Sequence, residues 1–337
     1  MAEPNVETAP QPERSPSQQH TSANPVGRNG EITVPSEELS PMADGSRTGA
    51  SETREAIASW VALLRPRILG LVAVAMAASA WLSGQTQPSL PAVVHILWGT
   101  LWVMAGSVAL NQAIESRSDA MMPRTAHRPV PVGRVSARQA ALFGAMAIAA
   151  GCGYLAWFAG GTVALLAGVN ALGYVALYTP LKSRSPWQTP VGAAAGALPV
   201  LLGAAAADAM FSFRALTLFG LLFFWQFPHS MAIAWLYREQ FAASGTRLAV
   251  VVDPSGRSAG RWACVGAVAL VPLGLAMTAE YGIVWAAGAG MLGLSGLAVA
   301  ARFAAQPSDQ TARTMLRWSL AFLPAFLAWA IAAKHWQ

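Results

Sequence analysis

In the stretch 111-NQAIESRSDAMMPRTAHRPVP-131, three oxygen-bearing side chains recur four residues apart: Asn111, Glu115 and Asp119. On a helix such residues share one face and drift by about 40° per step. Hard divalent cations such as Mg²⁺ take oxygen ligands and fill the rest of their shell with water or phosphate oxygens. Arg124 and Arg128 follow directly, and a guanidinium can grip phosphate through two parallel N–H bonds. The pattern points to a metal-bridged phosphate ester. The plainer alternative has solvated acids at a helix end and arginines that only set topology. Against it, only seven acidic residues occur after position 58, and two of them are here.

These side chains need a scaffold, and composition indicates its class. The chain has 337 residues, 54% of them hydrophobic and 11% charged, with a mean hydropathy of +0.42. Such values belong to membrane proteins. A membrane-crossing helix needs roughly twenty mainly apolar residues. Nine segments qualify: Arg65–Leu82, Ala92–Asn111, Ala140–Phe158, Thr162–Tyr178, Thr189–Ala207, Ala215–Tyr237, Ala263–Thr278, Ile283–Phe303 and Met315–Ala333. The expected fold is therefore all-α and polytopic. Asp119 would fall where the second helix frays before Pro123.

Connections after the even-numbered spans are rich in arginine, from Arg117 to Arg138 and again at Arg238, Arg247, Arg257 and Arg261. The opposite loops, such as 83-SGQTQPSLP-91, carry almost no basic residue beyond Arg214. The positive-inside rule then sets the basic connections and the N-terminal tail in the cytoplasm. The net charge of +6 follows from this asymmetry and needs no nucleic-acid partner.

Residues 1–58 hold nine of the 16 acidic residues and no long apolar run, so they are expected to form a disordered tail ahead of a membrane domain at 59–337. The tail has neither a signal-peptide core nor the acid-poor character of a transit peptide. Cys152 and Cys264 fall within apolar spans and read as packing residues. His95 reads as a core residue and His127 as a surface one.

The order N-x-x-x-E-x-x-x-D-A-x-M-x-R-T-x-x-R-P resembles the first acidic motif of the protohaem IX farnesyltransferases, which are UbiA-type membrane prenyltransferases. The likeness continues in 64-LRPRILGL-71, 178-YTPLKSRSPWQTPVGAAAGALP-199 and 224-FWQFPHSMAIAWLY-237, in the family's order. It implies a nine-helix UbiA-type bundle, while the acid-bearing tail argues for a bacterial plasma membrane over an organelle and the charge asymmetry for acidic-motif loops in the cytoplasm. It also implies transfer of a farnesyl group from farnesyl diphosphate to a vinyl group of haem B, giving haem O, with Mg²⁺ required. Haem A synthase or the assembling terminal oxidase would be partners. By carry-over, Asn111, Glu115 and Asp119 hold metal, and Arg124, Arg128 and Lys182 hold diphosphate. Trp225, Gln226 and His229 face haem, His229 through iron or a propionate. For Lys182 a purely topological role stands beside this one, and for His229 that of a satisfied core histidine.

The chain also departs from the family. Glu115 and Arg117 stand where aspartates are usual, and Arg117 would repel a cation unless it points away. In the second acidic motif the usual aspartate becomes Gln240, leaving the neighbouring Glu239, about 100° away on a helix, as a candidate ligand, with Asp253 as another carboxylate. The alternatives are the same fold acting on a quinone precursor or chlorophyll-like ring, a transporter, or a non-catalytic haem-binding membrane protein.

Overall fold

A computed structural model describes residues 49–335, and among these every regular element is helical. The first helix, α1 (Gly49–Leu64), precedes α2 (Pro66–Ser83), α3 (Leu90–Ala120), α4 (Ala137–Phe158), α5 (Gly161–Leu181) and α6 (Gln188–Ala207). Then come α7 (Phe213–Leu236), the short α8 (Arg238–Ala243) and α9 (Ala249–Val252), α10 (Arg257–Leu275), α11 (Thr278–Ala305) and α12 (Asp309–His335). Nine of these are long and apolar enough to cross a membrane. Helices suit such segments because every backbone N–H and C=O is satisfied within the segment.

Residues 1–48 of the expected tail lie outside the described residues. Its last ten do not continue a tail: α1 begins at Gly49. No proline interrupts residues 49–64, alanine and glutamate favour helix, and Glu52 sits in the first turn, where it complements the helix dipole. The helix is anchored by fully buried Leu63, whose carbonyl accepts a 2.5 Å hydrogen bond from Gln112 Nε2 on α3.

The second span also runs further than its apolar residues suggest. Helix α3 continues through Ala120, so Asp119 is helical rather than frayed. Pro123 leaves room for that last turn, and Arg117 stands in it, favourably placed for the C-terminal dipole. Two elements are interrupted. Helix α5 widens into a π turn over Gly173–Tyr178, and α11 breaks at Gly282, whose φ of 80° only glycine adopts without strain.

Helices α3 and α4 cross closely through small residues, the usual way membrane helices gain packing where lipid supplies no hydrophobic drive. A Cβ added at Gly144 would stand 2.7 Å from the Gly106 carbonyl oxygen, and one at Gly106 only 2.5 Å from that of Gly144. Gly106→Leu is expected to cost about 3 kcal/mol or prevent folding, read as a lost or early-melting peak in size exclusion of the solubilised protein. Apolar clusters flank the crossing. One joins α2–α6 around Met76, Leu155 and Leu202. Another joins α2, α6, α7 and α10–α12 around Leu270, Trp285 and Phe326. At the loop-poor end the Arg214 charge is matched by Glu280 and by a 3.0 Å bond to the Gly84 carbonyl.

Candidate functional site

The C-terminal half-turns of α3, the π turn of α5, the start of α6 and the middle of α7 surround a cavity of about 530 Å³. Asn111, Glu115 and Asp119 all line it, as do Arg124, Arg128 and Lys182. The fold therefore brings together six of the seven residues expected to hold metal or diphosphate, Glu239 being the exception. Asn111 and Asp119 are buried. Asn111 Nδ2 donates to Thr179 Oγ1 at 3.0 Å, and that hydroxyl donates to the Tyr174 carbonyl at 2.9 Å. The π turn sets the Tyr174 carbonyl, which also accepts from the Thr179 amide, within reach of that hydroxyl. This chain orients the amide, so Thr179→Val is expected to lower kcat/KM about tenfold while leaving the folded yield unchanged.

Both carboxylates already carry cationic partners. Asp119 Oδ2 lies 2.5 Å from Arg128 Nη1, and Glu115 Oε1 lies 2.9 Å from Lys182 Nζ. The Lys182 ammonium also sits 4.6 Å from the centre of the Tyr178 ring. Burial opposes the Lys182 charge, but Tyr178, Glu115 and Tyr174, with the hydrogen bond to Glu115, outweigh it and raise its pKa above the ordinary value. Lys182 is thus fixed as a cation inside the site, not merely a marker of topology.

Two further cations line the cavity that spacing alone did not nominate, Arg65 and Arg117. Arg117, although exposed, borders the cavity. Arg65 caps α2 in a left-handed backbone (φ 54°, ψ 61°), a conformation costing an ordinary residue about 1–2 kcal/mol. Its position before Pro66 gave no sign of this, because a residue there is ordinarily pushed toward extended backbone. Burial, then the neighbouring Arg128 and Arg124 charges, lower the pKa of Arg65; burial and Arg128 do the same for Arg124. Guanidiniums crowded in this way are relieved by a bound anion.

The segment after α7 covers the cavity: Phe241, Ser244, Thr246 and Leu248 line it, and Arg247 N donates to the Lys182 carbonyl at 2.7 Å. Arg124 stands 5.6 Å from both the Tyr237 and Phe241 rings. Glu239 does not serve as the expected fourth ligand. It is exposed and does not line the cavity, and neither does Gln240. Gln240 keeps a buried Oε1 without a hydrogen-bond partner. Asp253 is engaged elsewhere, accepting from the Ser255 hydroxyl at 2.5 Å and the Ser258 amide at 2.8 Å, bonds that hold its carboxyl below the ordinary aspartate value.

The three residues expected to face haem divide. Gln226 lines the cavity, its Nε2 tying α7 to the Ala193 carbonyl of α6 at 2.9 Å. Trp225 and His229 do not line it; they stack with centroids 4.8 Å apart and both reach Ser319 on α12. Because the Ser319 hydroxyl donates to the Leu316 carbonyl, His229 Nδ1 donates to Ser319 and Nε2 keeps its lone pair. His95 is a structural residue, 2.7 Å from the Tyr154 hydroxyl and stacked on Phe158, and His127 is exposed. Both cysteines are free and packed among apolar neighbours.

The donors suit Mg²⁺. Asn111, Glu115 and Asp119 present hard oxygens from one helix face into a cavity with room for phosphate oxygens, and Mg²⁺ is commonly held by one or two carboxylates plus phosphate and water. Among the described residues no group of three or more His, Cys, Asp or Glu could cage a metal. The set therefore fits a cation shared with a phosphate ligand.

Known proteins share this fold. Solved structures share the fold at low identity: a digeranylgeranylglyceryl phosphate synthase at TM-score 0.69 and 15% identity, covering 83% of this chain and 98% of that one. A UbiA homologue from Archaeoglobus fulgidus bound to GPP and Mg²⁺ superposes at TM-score 0.55 and 16% identity, covering 82% and 99%. Among curated relatives, the protoheme IX farnesyltransferase of Rhodopirellula baltica is 40% identical across 79% of this chain and 96% of its own. That of Solibacter usitatus is 37% identical across 79% and 94%. The UbiA prenyltransferase family matches residues 71–335, and with these relatives it settles the kinship: the chain belongs to the UbiA prenyltransferase family.

Proposed function

We propose that the protein transfers the farnesyl group of farnesyl diphosphate to a vinyl group of haem B, forming haem O for terminal oxidases. The observation that carries this is the single cavity in which Asn111, Glu115 and Asp119 meet Arg124, Arg128 and Lys182. The acceptor comes from the relatives, which are named protoheme IX farnesyltransferases.

The reaction needs an allylic C–O bond to break, the electron pair leaving with diphosphate. The farnesyl cation then bonds to the terminal vinyl carbon, and water adds to the resulting benzylic-type cation to give the hydroxyl of haem O and release a proton. Arg124, Arg128 and Lys182 grip the departing diphosphate, whose charge grows as the bond breaks, so they stabilise the transition state more than the bound substrate. Asn111, Glu115 and Asp119 would hold Mg²⁺, which when bound would supply Lewis-acid stabilisation of the same leaving group. Tyr174, Tyr178, Ile233 and Phe241 wall the cavity and shield the cation from bulk water until carbon–carbon bond formation. The tetrapyrrole is assigned to the α7–α12 side, where Trp225 offers an aromatic face and His229 Nε2 a lone pair for iron or a propionate.

The basic connections between even- and odd-numbered spans support a cytoplasmic orientation for this cavity, in a bacterial plasma membrane on the present reading. The test is acceptor choice. Membranes holding the protein, labelled farnesyl diphosphate and Mg²⁺ receive either haem B or 4-hydroxybenzoate. Label is expected in the porphyrin fraction alone; label in the hydroxybenzoate would replace the acceptor, and none in either would replace the reaction.

A further inference from the structure

We propose that the site takes up diphosphate first and its divalent cation second, by an exchange of partners within the cavity; this rests on the prenyl-diphosphate reading above. Five cationic side chains line the cavity against two carboxylates, an excess of three positive charges. The diphosphate end of a prenyl ester carries about three negative charges when ionised, one on the inner phosphate and about two on the terminal one. The protein therefore neutralises that group without any metal.

The ion pairs give the order. Asp119 is held by Arg128 at 2.5 Å and Glu115 by Lys182 at 2.9 Å, so neither ligand is free for a cation arriving alone. That cation would also meet three guanidiniums, Arg65, Arg117 and Arg124, that have no carboxylate partner among the described residues. An anion meets the opposite situation: those guanidiniums attract it. Once phosphate oxygens compete for Arg128 and Lys182, Asp119 and Glu115 are released on the α3 face beside the bound phosphates. A cation then finds two carboxylates and phosphate oxygens together, the set Mg²⁺ prefers. Gln240, uncharged, and Glu239, outside the lining, add no further anionic ligand.

The probes are inorganic pyrophosphate and Mn²⁺, each offered alone to the solubilised full chain. By calorimetry, pyrophosphate in EDTA should bind within about tenfold of its affinity in Mg²⁺. By electron paramagnetic resonance, Mn²⁺ without pyrophosphate should keep the free-ion signal it shows in detergent buffer. Lys182→Met, which releases Glu115, should acquire Mn²⁺ binding of its own, and Mn²⁺ binding no greater than the unmodified protein's would count against the exchange. If that variant fails to fold, the two titrations of the unmodified chain decide alone. Pyrophosphate that binds only with Mg²⁺, or Mn²⁺ that binds the unmodified chain by itself, overturns the order. Pyrophosphate that binds under neither condition sinks the prenyl-diphosphate reading with it.

Discussion

Asp119→Ala is expected to lower kcat/KM for haem O formation about a thousandfold, the upper range for removing one group aimed at developing charge. Asp119 is 1% exposed, lines the diphosphate cavity and holds Arg128 at 2.5 Å. The substitution removes a metal ligand and leaves a guanidinium half-buried without its partner, so some loss of stability accompanies the loss of rate. Asp119→Asn separates the two. It keeps the shape and a hydrogen-bond acceptor for Arg128 but not the negative charge, so the fold should recover while turnover does not. Equal rates for Asp119→Ala and the unmodified enzyme, with matched folded protein, would remove Asp119 from the site.

The second large effect belongs to Arg124. Arg124→Ala is expected to reduce kcat/KM by about a hundredfold or more, through loss of a preorganised donor to the leaving diphosphate. Its guanidinium is held between cover and cavity by the Tyr237 and Phe241 rings, each 5.6 Å away. Arg124→Lys should recover little, because an ammonium lacks both the planar fork and the flat face that stacks on the rings. Steady-state rates across farnesyl diphosphate concentrations check this. Full rescue by lysine would show that only charge matters at this position.

What the sequence made legible follows from periodicity and local chemistry. Nine spans stood out because long apolar runs have few alternatives in a membrane, and Asn111, Glu115 and Asp119 because a four-residue spacing needs only a helix to align it. Contacts made across helices were not legible. The pairing of Glu115 with Lys182 joins α3 to the end of α5, residues 67 apart, and only the packing shows it. Arg65 enters the site through an unusual backbone that no spacing predicts, and the π turn that aims Thr179 at Asn111 leaves no pattern in 173-GYVALY-178. Glu239 lies outside the cavity because it stands two residues before Phe241, about 200° round the helix, and the cover segment presents Phe241 and Ser244 instead. An ionisable residue within an apolar span marks His229 in the sequence, yet its orientation toward Ser319 depends on where α12 packs.

The most direct test is a structure of the protein with farnesyl thiolodiphosphate, a slowly ionising analogue, and Mn²⁺. The account predicts two phosphorus positions between the α3 face of Asn111, Glu115 and Asp119 and the side chains of Arg124, Arg128 and Lys182. It also predicts an anomalous Mn²⁺ peak in contact with Glu115 and Asp119, with the Arg128 and Lys182 pairs broken. Diphosphate bound elsewhere, or carboxylates still paired to Arg128 and Lys182 beside a bound analogue, would contradict it.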